Sequence, residues 1–140
     1  MYGWNKKYTK SVMKTSITGC PVEVAMQILG GRWRAVLIYY LLDGPKRFSD
    51  LRRDVPRISQ RMLTLDLREL ERSGLVRRTV YPEVPVRVEY ELMPEGRELR
   101  GIIHELCLWG KRLQRKPTSG VTRADASALS VTRAGRRNMS

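Results

Sequence analysis

The sequence predicts an α+β domain that is mostly helical, and three observations support that prediction. Residues 58–78 combine a helix start, an amphipathic helix and a glycine stop with the beginning of a new apolar run. Residues 75–92 alternate between apolar and polar side chains on both sides of a loop that contains two prolines. Residues 94–113 show apolar side chains at helical spacing. A chain of 140 residues with this pattern corresponds to one domain.

The helix at 59–73 has the clearest sequence signals. Ser59 is a favourable N-cap, because its hydroxyl can accept a hydrogen bond from an unpaired amide of the first turn. Ile58 and Leu63 occupy the two positions of a hydrophobic staple, and Gly74 lies where a helix ends in the left-handed conformation. The inner face is formed by leucines at helical spacing: Leu63, Leu67 and Leu70. The outer face is polar and basic: Arg61, Thr64 and Arg68.

Shorter elements are predicted before this helix. A helix at 34–42 is apolar nearly all round, which places it at the centre of the core. In chain order, the other predicted elements are a helix at 22–29 that stops at Gly30 and Gly31, a turn at 43–45, a short strand at 46–48, and a brief helix that Ser49 caps and Pro56 ends.

The alternating segment predicts a two-stranded antiparallel ribbon, with residues 75–81 as its first strand and residues 82–87 near its tip. The second strand places Val86, Val88, Tyr90 and Leu92 on one face, and Arg87, Glu89 and Glu91 on the other. Two helices joined by a short turn and followed by such a ribbon form a winged helix-turn-helix.

The last helix presents an apolar stripe with no remaining domain to cover it, so the sequence predicts an added C-terminal dimerisation helix. The stripe consists of Leu99, Ile102, Ile103, Leu106, Trp109 and Leu113. The expected organisation is an N-terminal arm at 1–18, the winged helix and dimerisation domain at 19–114, and a basic disordered tail at 115–140.

The formal net charge of +13 suggests a polyanionic partner, but most of the excess lies in the two ends of the chain. Residues 1–21 contribute +4 and residues 111–140 contribute +7, whereas residues 22–110 contribute only +2. Charge alone is compatible with nucleic acid, with an anionic membrane or with solubility. No apolar stretch approaches the roughly 20 residues that span a bilayer, and two cysteines are too few for a disulfide-stapled fold. We expect a cytoplasmic protein without a membrane partner.

Enzymatic motifs are missing from the sequence. It contains no glycine-rich phosphate loop, nucleophile elbow or paired catalytic carboxylates. His104 is the only histidine and has no clustered carboxylates in a metal-binding motif. We therefore expect no catalytic activity, no metal and no cofactor.

Five ordered blocks resemble the HxlR-type winged helix-turn-helix regulators of bacteria and archaea, over about residues 20–113. The blocks are CPVEVAMQILGGRW at 20–33, GPKRFSDL at 44–51, ISQRMLTLDLRELERSGLV at 58–76, PVRVEYEL at 85–92 and MPEGREL at 93–99. The resemblance implies a dimeric, DNA-binding transcriptional regulator. Two positions depart from the family pattern: Val86 stands where a second proline is usual, and Met93 where threonine or serine is usual.

In this context the helix at 59–73 is expected to enter the major groove of an operator with its first residues nearest the bases. Arg61 can recognise guanine and Gln60 can recognise adenine, whereas Arg68, farther along, is expected at a phosphate. Ser59 and Thr64 complete this surface. The wing arginines, Arg77, Arg78 and Arg87, are expected at the minor groove or backbone. The alternative for Arg87 is an ion pair with Glu83 or Glu89.

The cysteines suggest a thiol response. Some relatives sense oxidants or electrophiles with an N-terminal cysteine, and Cys20 matches that position. Cys107 is a candidate resolving partner, within or across subunits. Reactivity requires a thiolate, which nearby cations or a helix N-terminus favour. The alternative is that Cys107 is a small core residue and Cys20 a packed anchor.

Three functions remain open at this stage. The leading prediction is a homodimeric, sequence-specific regulator of double-stranded DNA, in the repressor role and with an unknown effector. The first alternative is a non-specific nucleic-acid binder driven by the basic tails. The second is a winged helix that binds another protein, against which the basic residues of the recognition face argue.

Overall fold

The computed structural model describes residues 16–115 together with Lys7. The elements in this part of the chain are α1 (Pro21–Leu29), α2 (Arg34–Leu41), β1 (Lys46–Arg47), α3 (Phe48–Asp54), α4 (Gln60–Ser73), β2 (Val76–Tyr81), β3 (Arg87–Leu92), α5 (Pro94–Arg97) and α6 (Arg100–Arg115). Most of the arm predicted at 1–18, and residues 116–140 of the predicted tail, lie outside the described residues.

The helix α4 begins and ends where the sequence predicts. The hydroxyl of Ser59 accepts a hydrogen bond from the amide of Met62 at 3.0 Å, which is the expected N-cap bond. At the other end, Gly74 adopts φ +89°, a left-handed conformation that other residues rarely adopt. The amide of Leu75 then donates back to the carbonyl of Leu70 at 3.0 Å. The chain therefore leaves the helix sharply and enters β2 after two residues.

The sheet has three antiparallel strands in the order β1-β3-β2. The pairs Val76–Leu92, Arg78–Tyr90 and Val80–Val88 place one set of side chains on the same face of the ribbon. The pairs Arg77–Glu91, Thr79–Glu89 and Tyr81–Arg87 form the other face. The predicted alternation is thus confirmed, and β1 adds a third strand that pairs Lys46 with Tyr90.

The core lies between α2, the inner face of α4 and the inner side of the ribbon. Leu37, Ile38 and Leu41 of α2 are buried, which confirms the central position predicted for this helix. Leu63, Leu67 and Leu70 of α4 pack in the same cluster, together with Ile58 and Leu51. These leucines hold α4, which occupies the position of the recognition helix in a winged helix-turn-helix, on the domain by hydrophobic burial.

One ion pair also reaches the inner face of α4. Asp66 is only 5% exposed, and its carboxylate accepts a hydrogen bond from Nε of Arg34 at 3.2 Å. The Nη1 atom of Arg34 donates to the backbone carbonyls of Ile28 at 3.1 Å and of Gln27 at 3.4 Å. Arg34 therefore joins the C-terminal end of α1 to the recognition helix.

The prediction for the brief helix α3 needs a correction. Phe48 was expected in the strand and Ser49 as the cap, but the helix already begins at Phe48, with Arg47 as its N-cap residue. The carboxylate of Asp50 accepts a hydrogen bond from the amide of Arg47 at 3.0 Å. An acidic side chain in the first turn thus satisfies an unpaired amide there in place of Ser49.

The last helix was expected to be continuous, but it is divided. The α5 turn ends at Arg97, and α6 begins at Arg100. The amide of Leu99 bonds to the carbonyl of Gly96 at 3.1 Å, which tightens the chain at the junction. A Cβ atom on Gly96 would lie 2.4 Å from the carbonyl oxygen of Leu75, so only glycine fits this close approach.

The predicted dimerisation stripe is divided as well. Ile103 is 3% exposed and belongs to the core of its own chain, and Leu99 packs against that core. Both residues were predicted at the dimer interface, but their side chains pack against the core of their own chain, that of Ile103 fully buried and that of Leu99 partly buried. Ile102 and Leu106 remain exposed.

Contacts divide the chain after Leu106. The described part of the second unit is the end of α6, at 107–115. Trp109 and Leu113 are exposed there, and Cys107 is half-buried. The helix continues to Arg115, one residue into the segment predicted as tail.

Removal of the Asp66 carboxylate is expected to destabilise the fold. The Asp66→Ala variant leaves the guanidinium of Arg34 without its charged partner, and we expect a loss of about 3 kcal/mol in the free energy of unfolding. Denaturant unfolding at fixed protein concentration measures this loss. Glu91→Ala is the control, since it breaks an exposed ion pair with Arg77 and is expected to cost less than about 1 kcal/mol. Equal losses in the two variants would contradict the structural role of Asp66.

Candidate nucleic-acid interface

The outer face of α4 presents the polar residues that the sequence singled out. Gln60, Arg61 and Arg68 are exposed, and Thr64 is half-buried. Their spacing of three, four and seven residues places them on one side of the helix. The structure therefore brings four of the predicted contact residues together on one surface, beside the Ser59 cap.

Pairing with carboxylates distinguishes the arginines of this helix. Arg72, near the C-terminal end, forms an ion pair with Glu69 at 3.2 Å. Within residues 16–115, Arg61 and Arg68 have no carboxylate partner. Their positive charges are thus uncompensated on the outer face, where a phosphate or an electronegative base edge would be attracted.

Two hydrogen bonds organise the first turn of α4. The hydroxyl of Thr64 donates to the backbone carbonyl of Gln60 at 2.9 Å. The Nη1 atom of Arg52, on α3, donates to Oε1 of Gln60 at 3.3 Å. The sequence analysis did not assign a contact to Arg52. Its position eight residues before Gln60, across a short turn, is the signal that could have suggested the contact.

The neighbouring cations of this region are mostly paired. Lys46 contacts Asp54 at 2.6 Å, and that hydrogen bond raises the pKa of the lysine. Arg53 pairs with Asp50, and the pKa of Asp50 is lowered by the amide of Arg47 and by Arg53. Among the described residues, Arg52 has no carboxylate partner, which sets it apart from Arg53.

The wing arginine Arg87 is engaged within the wing itself. Its Nη2 donates to Glu83 at 2.8 Å, and its Nη1 bonds to Glu89. The guanidinium also lies over the ring of Tyr81, with its central carbon 3.8 Å from the centroid. The hydrogen bond from Arg87 lowers the pKa of Glu83, and the two carboxylates raise that of Arg87. The structure thus contains the ion pairs that were the alternative to DNA contact.

The two other wing arginines differ from each other. Arg77 donates to Glu91 at 2.6 Å. Arg78 lies opposite Tyr90 in the ribbon and is exposed. It has no carboxylate partner in the described part of the chain. At the tip, residues 83–88 and the start of α3 line an open cleft of about 380 Å³.

The predicted thiol site lies at the start of α1. Cys20 is exposed and precedes Pro21, the first residue of the helix. Its amide donates to the hydroxyl of Thr18 at 3.1 Å. It is therefore not a packed anchor, the role considered as the alternative for this residue. Its nearest described ionised neighbour along the helix is Glu23 rather than a cation.

Glu23 organises the segment that leads to Cys20. Its carboxylate accepts hydrogen bonds from the amides of Ile17 at 2.8 Å and Thr18 at 2.7 Å, and from the hydroxyl of Ser16 at 3.1 Å. These bonds, with that of the Thr18 hydroxyl, lower the pKa of Glu23 to about 2. The sequence analysis missed this residue. An acidic residue at the third position of a helix that begins with proline was the available signal.

A family model described as HxlR-like helix-turn-helix matches residues 28–117. The chain belongs to this family. It is 46% identical over 108 residues to the HTH-type transcriptional regulator YdeP of Bacillus subtilis (strain 168), a match that covers 77% of this chain and 84% of that protein. It is also 44% identical over 93 residues to the regulator YodB of the same organism, covering 66% of this chain and 83% of that one.

Solved structures agree with this assignment. The redox regulator HypR in its oxidized form has a TM-score of 0.64 and 49% identity to this chain, and the match covers 66% of this chain and 96% of that one. The HxlR-like chain therefore has the winged helix-turn-helix of a DNA-binding transcriptional regulator. The family match begins after Cys20, so the thiol site precedes the matched segment.

Three other observations on this HxlR-like chain concern metal binding, membrane-spanning helices and helix capping. No group of three or more histidine, cysteine or acidic residues within the described ranges is arranged to hold a metal ion. None of the helices at 16–115 is long and apolar enough to cross a membrane. Met93, where the family usually has threonine or serine, is the N-cap of α5 and makes no side-chain cap bond.

The depressed pKa of Glu23 predicts how the segment at 16–18 responds to acid. A carboxyl group whose pKa is lower in the folded state stabilises that state fully above its unfolded value of 4.5, and the effect is lost as the pH falls towards about 2. We expect the amide NMR signals of Ile17 and Thr18 to keep their hydrogen-bonded shifts through pH 4.5. The Glu23→Gln variant is the control, in which those shifts no longer follow a carboxyl titration. A midpoint at 4.5 in the wild type would contradict the geometry.

Proposed function

We propose that this protein is a homodimeric repressor that binds a specific double-stranded DNA operator. In this proposal α4 enters the major groove, and the wing lies on the adjacent minor groove or backbone. A dimer seated on promoter DNA blocks transcription by occupying the site, which requires no further contact surface.

The distribution of paired and unpaired arginines is the observation that supports this function. On the recognition helix, Arg61 and Arg68 keep their charges free on the outer face, whereas Arg72 is paired within the chain. A charge that has no internal partner costs little to bring against a phosphate or a guanine edge. A protein-binding role gives no comparable reason to leave these two charges uncompensated.

The wing has a smaller role in this proposal than the sequence suggested. Arg87 would first have to leave Glu83 and Glu89 before it could approach DNA. Arg78 is exposed and has no described carboxylate partner, so we assign the wing contact with the backbone to Arg78. Arg77 remains tied to Glu91.

Exposed apolar side chains support the dimer. Ile102 and Leu106 of α6 are about half exposed, and so are Trp109 and Leu113 farther along the helix. Their spacing of four, seven and eleven residues is that of one helix face. Two copies related by a two-fold axis would place their recognition helices about one turn of DNA apart, roughly 34 Å.

The DNA-binding role of Arg61 is tested with one variant and one matched control. The operator is first selected from random double-stranded DNA with purified protein. We then expect Arg61→Ala to weaken operator binding by about tenfold or more, because one base contact is lost. Arg72→Ala removes the same charge from the same helix, about 16 Å farther along, and should change affinity much less. Equal effects of the two variants would indicate that general charge, and not the recognition face, controls binding.

Deletion of residues 116–140 separates this function from non-specific binding by the tail. The deletion removes only residues beyond Arg115, the last described residue of α6. Sequence-specific binding should survive the deletion if α4 recognises the operator. If the truncated protein loses all preference for the selected sequence, the tail-driven alternative is correct. If the full chain selects no sequence and binds no DNA, the protein-interaction alternative is favoured.

We further propose that Cys20 makes DNA binding responsive to oxidants. The observation that favours it is the exposure of Cys20 directly before Pro21, the first residue of α1. One of the similar proteins, HypR, is described as a redox regulator.

Diamide treatment tests the thiol response. We expect diamide to change operator affinity of the wild type but not of Cys20→Ser, because the substitution removes the reacting thiolate. Cys107→Ser shows whether the second cysteine takes part, since a disulfide between them would require both. An equal response of the wild type and Cys20→Ser would eliminate Cys20 as the sensor.

A further inference from the structure

The contact between Arg52 and Gln60 determines which atoms of Gln60 are available to DNA. A guanidinium group carries only hydrogen-bond donors, so it can engage the carbonyl oxygen of a glutamine side chain but not its amide nitrogen. In the structure, Nη1 of Arg52 lies 3.3 Å from Oε1 of Gln60. The oxygen therefore faces α3, and the NH₂ group of Gln60 is directed away from Arg52.

This contact has little to contribute to folding. Both residues are exposed, and a single hydrogen bond at the surface adds at most a small amount to stability. Arg53, the next residue on α3, pairs with Asp50 instead. Of these two adjacent arginines, Arg53 thus pairs within its own helix, and Arg52 contacts Gln60, the first residue of α4.

We infer that Arg52 is a positioning residue that makes Gln60 a hydrogen-bond donor to DNA and so gives the protein a preference for guanine. This inference rests on the DNA-binding function proposed above. A free glutamine recognises adenine bidentately, because its oxygen accepts from N6 while its nitrogen donates to N7. When Arg52 holds the oxygen towards α3, the amide nitrogen is the group left to face the bases, so the donor half of Gln60 is presented to the groove.

The donor half favours guanine over adenine in the major groove. Guanine presents two acceptors there, N7 and O6, whereas adenine presents one acceptor and the N6 amino donor. An NH₂ group facing adenine would leave that amino donor without an acceptor, which is costly at a closed interface. The structure therefore reverses the adenine preference that the sequence suggested for Gln60.

Binding-site selection from random double-stranded DNA tests this inference, with the full-length wild type and three variants. Gln60→Ala identifies the base position that Gln60 recognises, since the preference there is lost. Arg52→Met keeps the length of the side chain but removes its donors. We expect the wild type to prefer guanine at that position by about tenfold, and Arg52→Met to shift the preference to adenine while the other positions stay unchanged.

Arg53→Met is the matched control. It removes the same charge from the adjacent position on α3 and should weaken binding to all sequences alike, without a change in base preference. The double variant Arg52→Met with Gln60→Ala should show the preferences of Gln60→Ala alone, because Arg52 acts through Gln60. Denaturation midpoints equal to that of the wild type show that the exposed substitutions leave the fold intact.

The outcomes separate this inference from the function on which it rests. If Arg52→Met still prefers guanine at the position that Gln60→Ala alters, the positioning role of Arg52 is overturned, while DNA recognition by α4 stands. Adenine at that position in the wild type would overturn it as well. Selection of no sequence at all by the wild type would overturn both the inference and the proposed function.

Discussion

The position of the recognition helix, α4, depends on the buried carboxylate of Asp66. Leu63, Leu67 and Leu70 fix which side of α4 faces the core, but apolar contacts are not directional. The bond from Arg34 to Asp66 is directional, and the same guanidinium also binds the last carbonyls of α1. Because one side chain joins α1, α2 and α4, rotation or sliding of the recognition helix would break its bond to Arg34 and leave the buried carboxylate of Asp66 without that partner.

Carboxylates determine which cations remain available at the surface. The wing pairs Arg87 with Glu83 and Glu89, and Arg77 with Glu91, so the charges of these two arginines are compensated within the ribbon. The recognition helix pairs Arg72 but leaves its outer face free. Most of the large net charge of the chain lies outside residues 22–110. This charge therefore contributes a general attraction to polyanions. Under the proposed function, base recognition comes from the few groups on α4 that have no partner among the described residues, and from Arg52 beside them.

Local signals allowed much of this fold to be predicted. Ser59 and Gly74 act through bonds within a few residues of themselves, so their roles are determined before any tertiary packing. The two faces of the ribbon follow in the same way from alternation. Local signals fail for Asp66 and Ile103. The environment of Asp66 depends on a helix far away in the chain, and that of Ile103 depends on a bend that no sequence motif predicts. The position of Asp66 on the leucine face of α4 was the available signal, but it does not identify Arg34 as the partner.

The same distinction between local signals and distant contacts applies to the candidate DNA-contacting surface. Helical spacing alone showed that Gln60 belongs to the outer face of α4, but the hydrogen-bonding character of its amide depends on a residue of another helix. The turn between α3 and α4 sets the distance between Arg52 and Gln60, and the core residues Leu51, Val55 and Ile58 hold that turn in place. If Arg52 positions Gln60 as proposed, base preference at this position is a property of the packed helix pair, and a list of side chains on the recognition helix does not by itself define it.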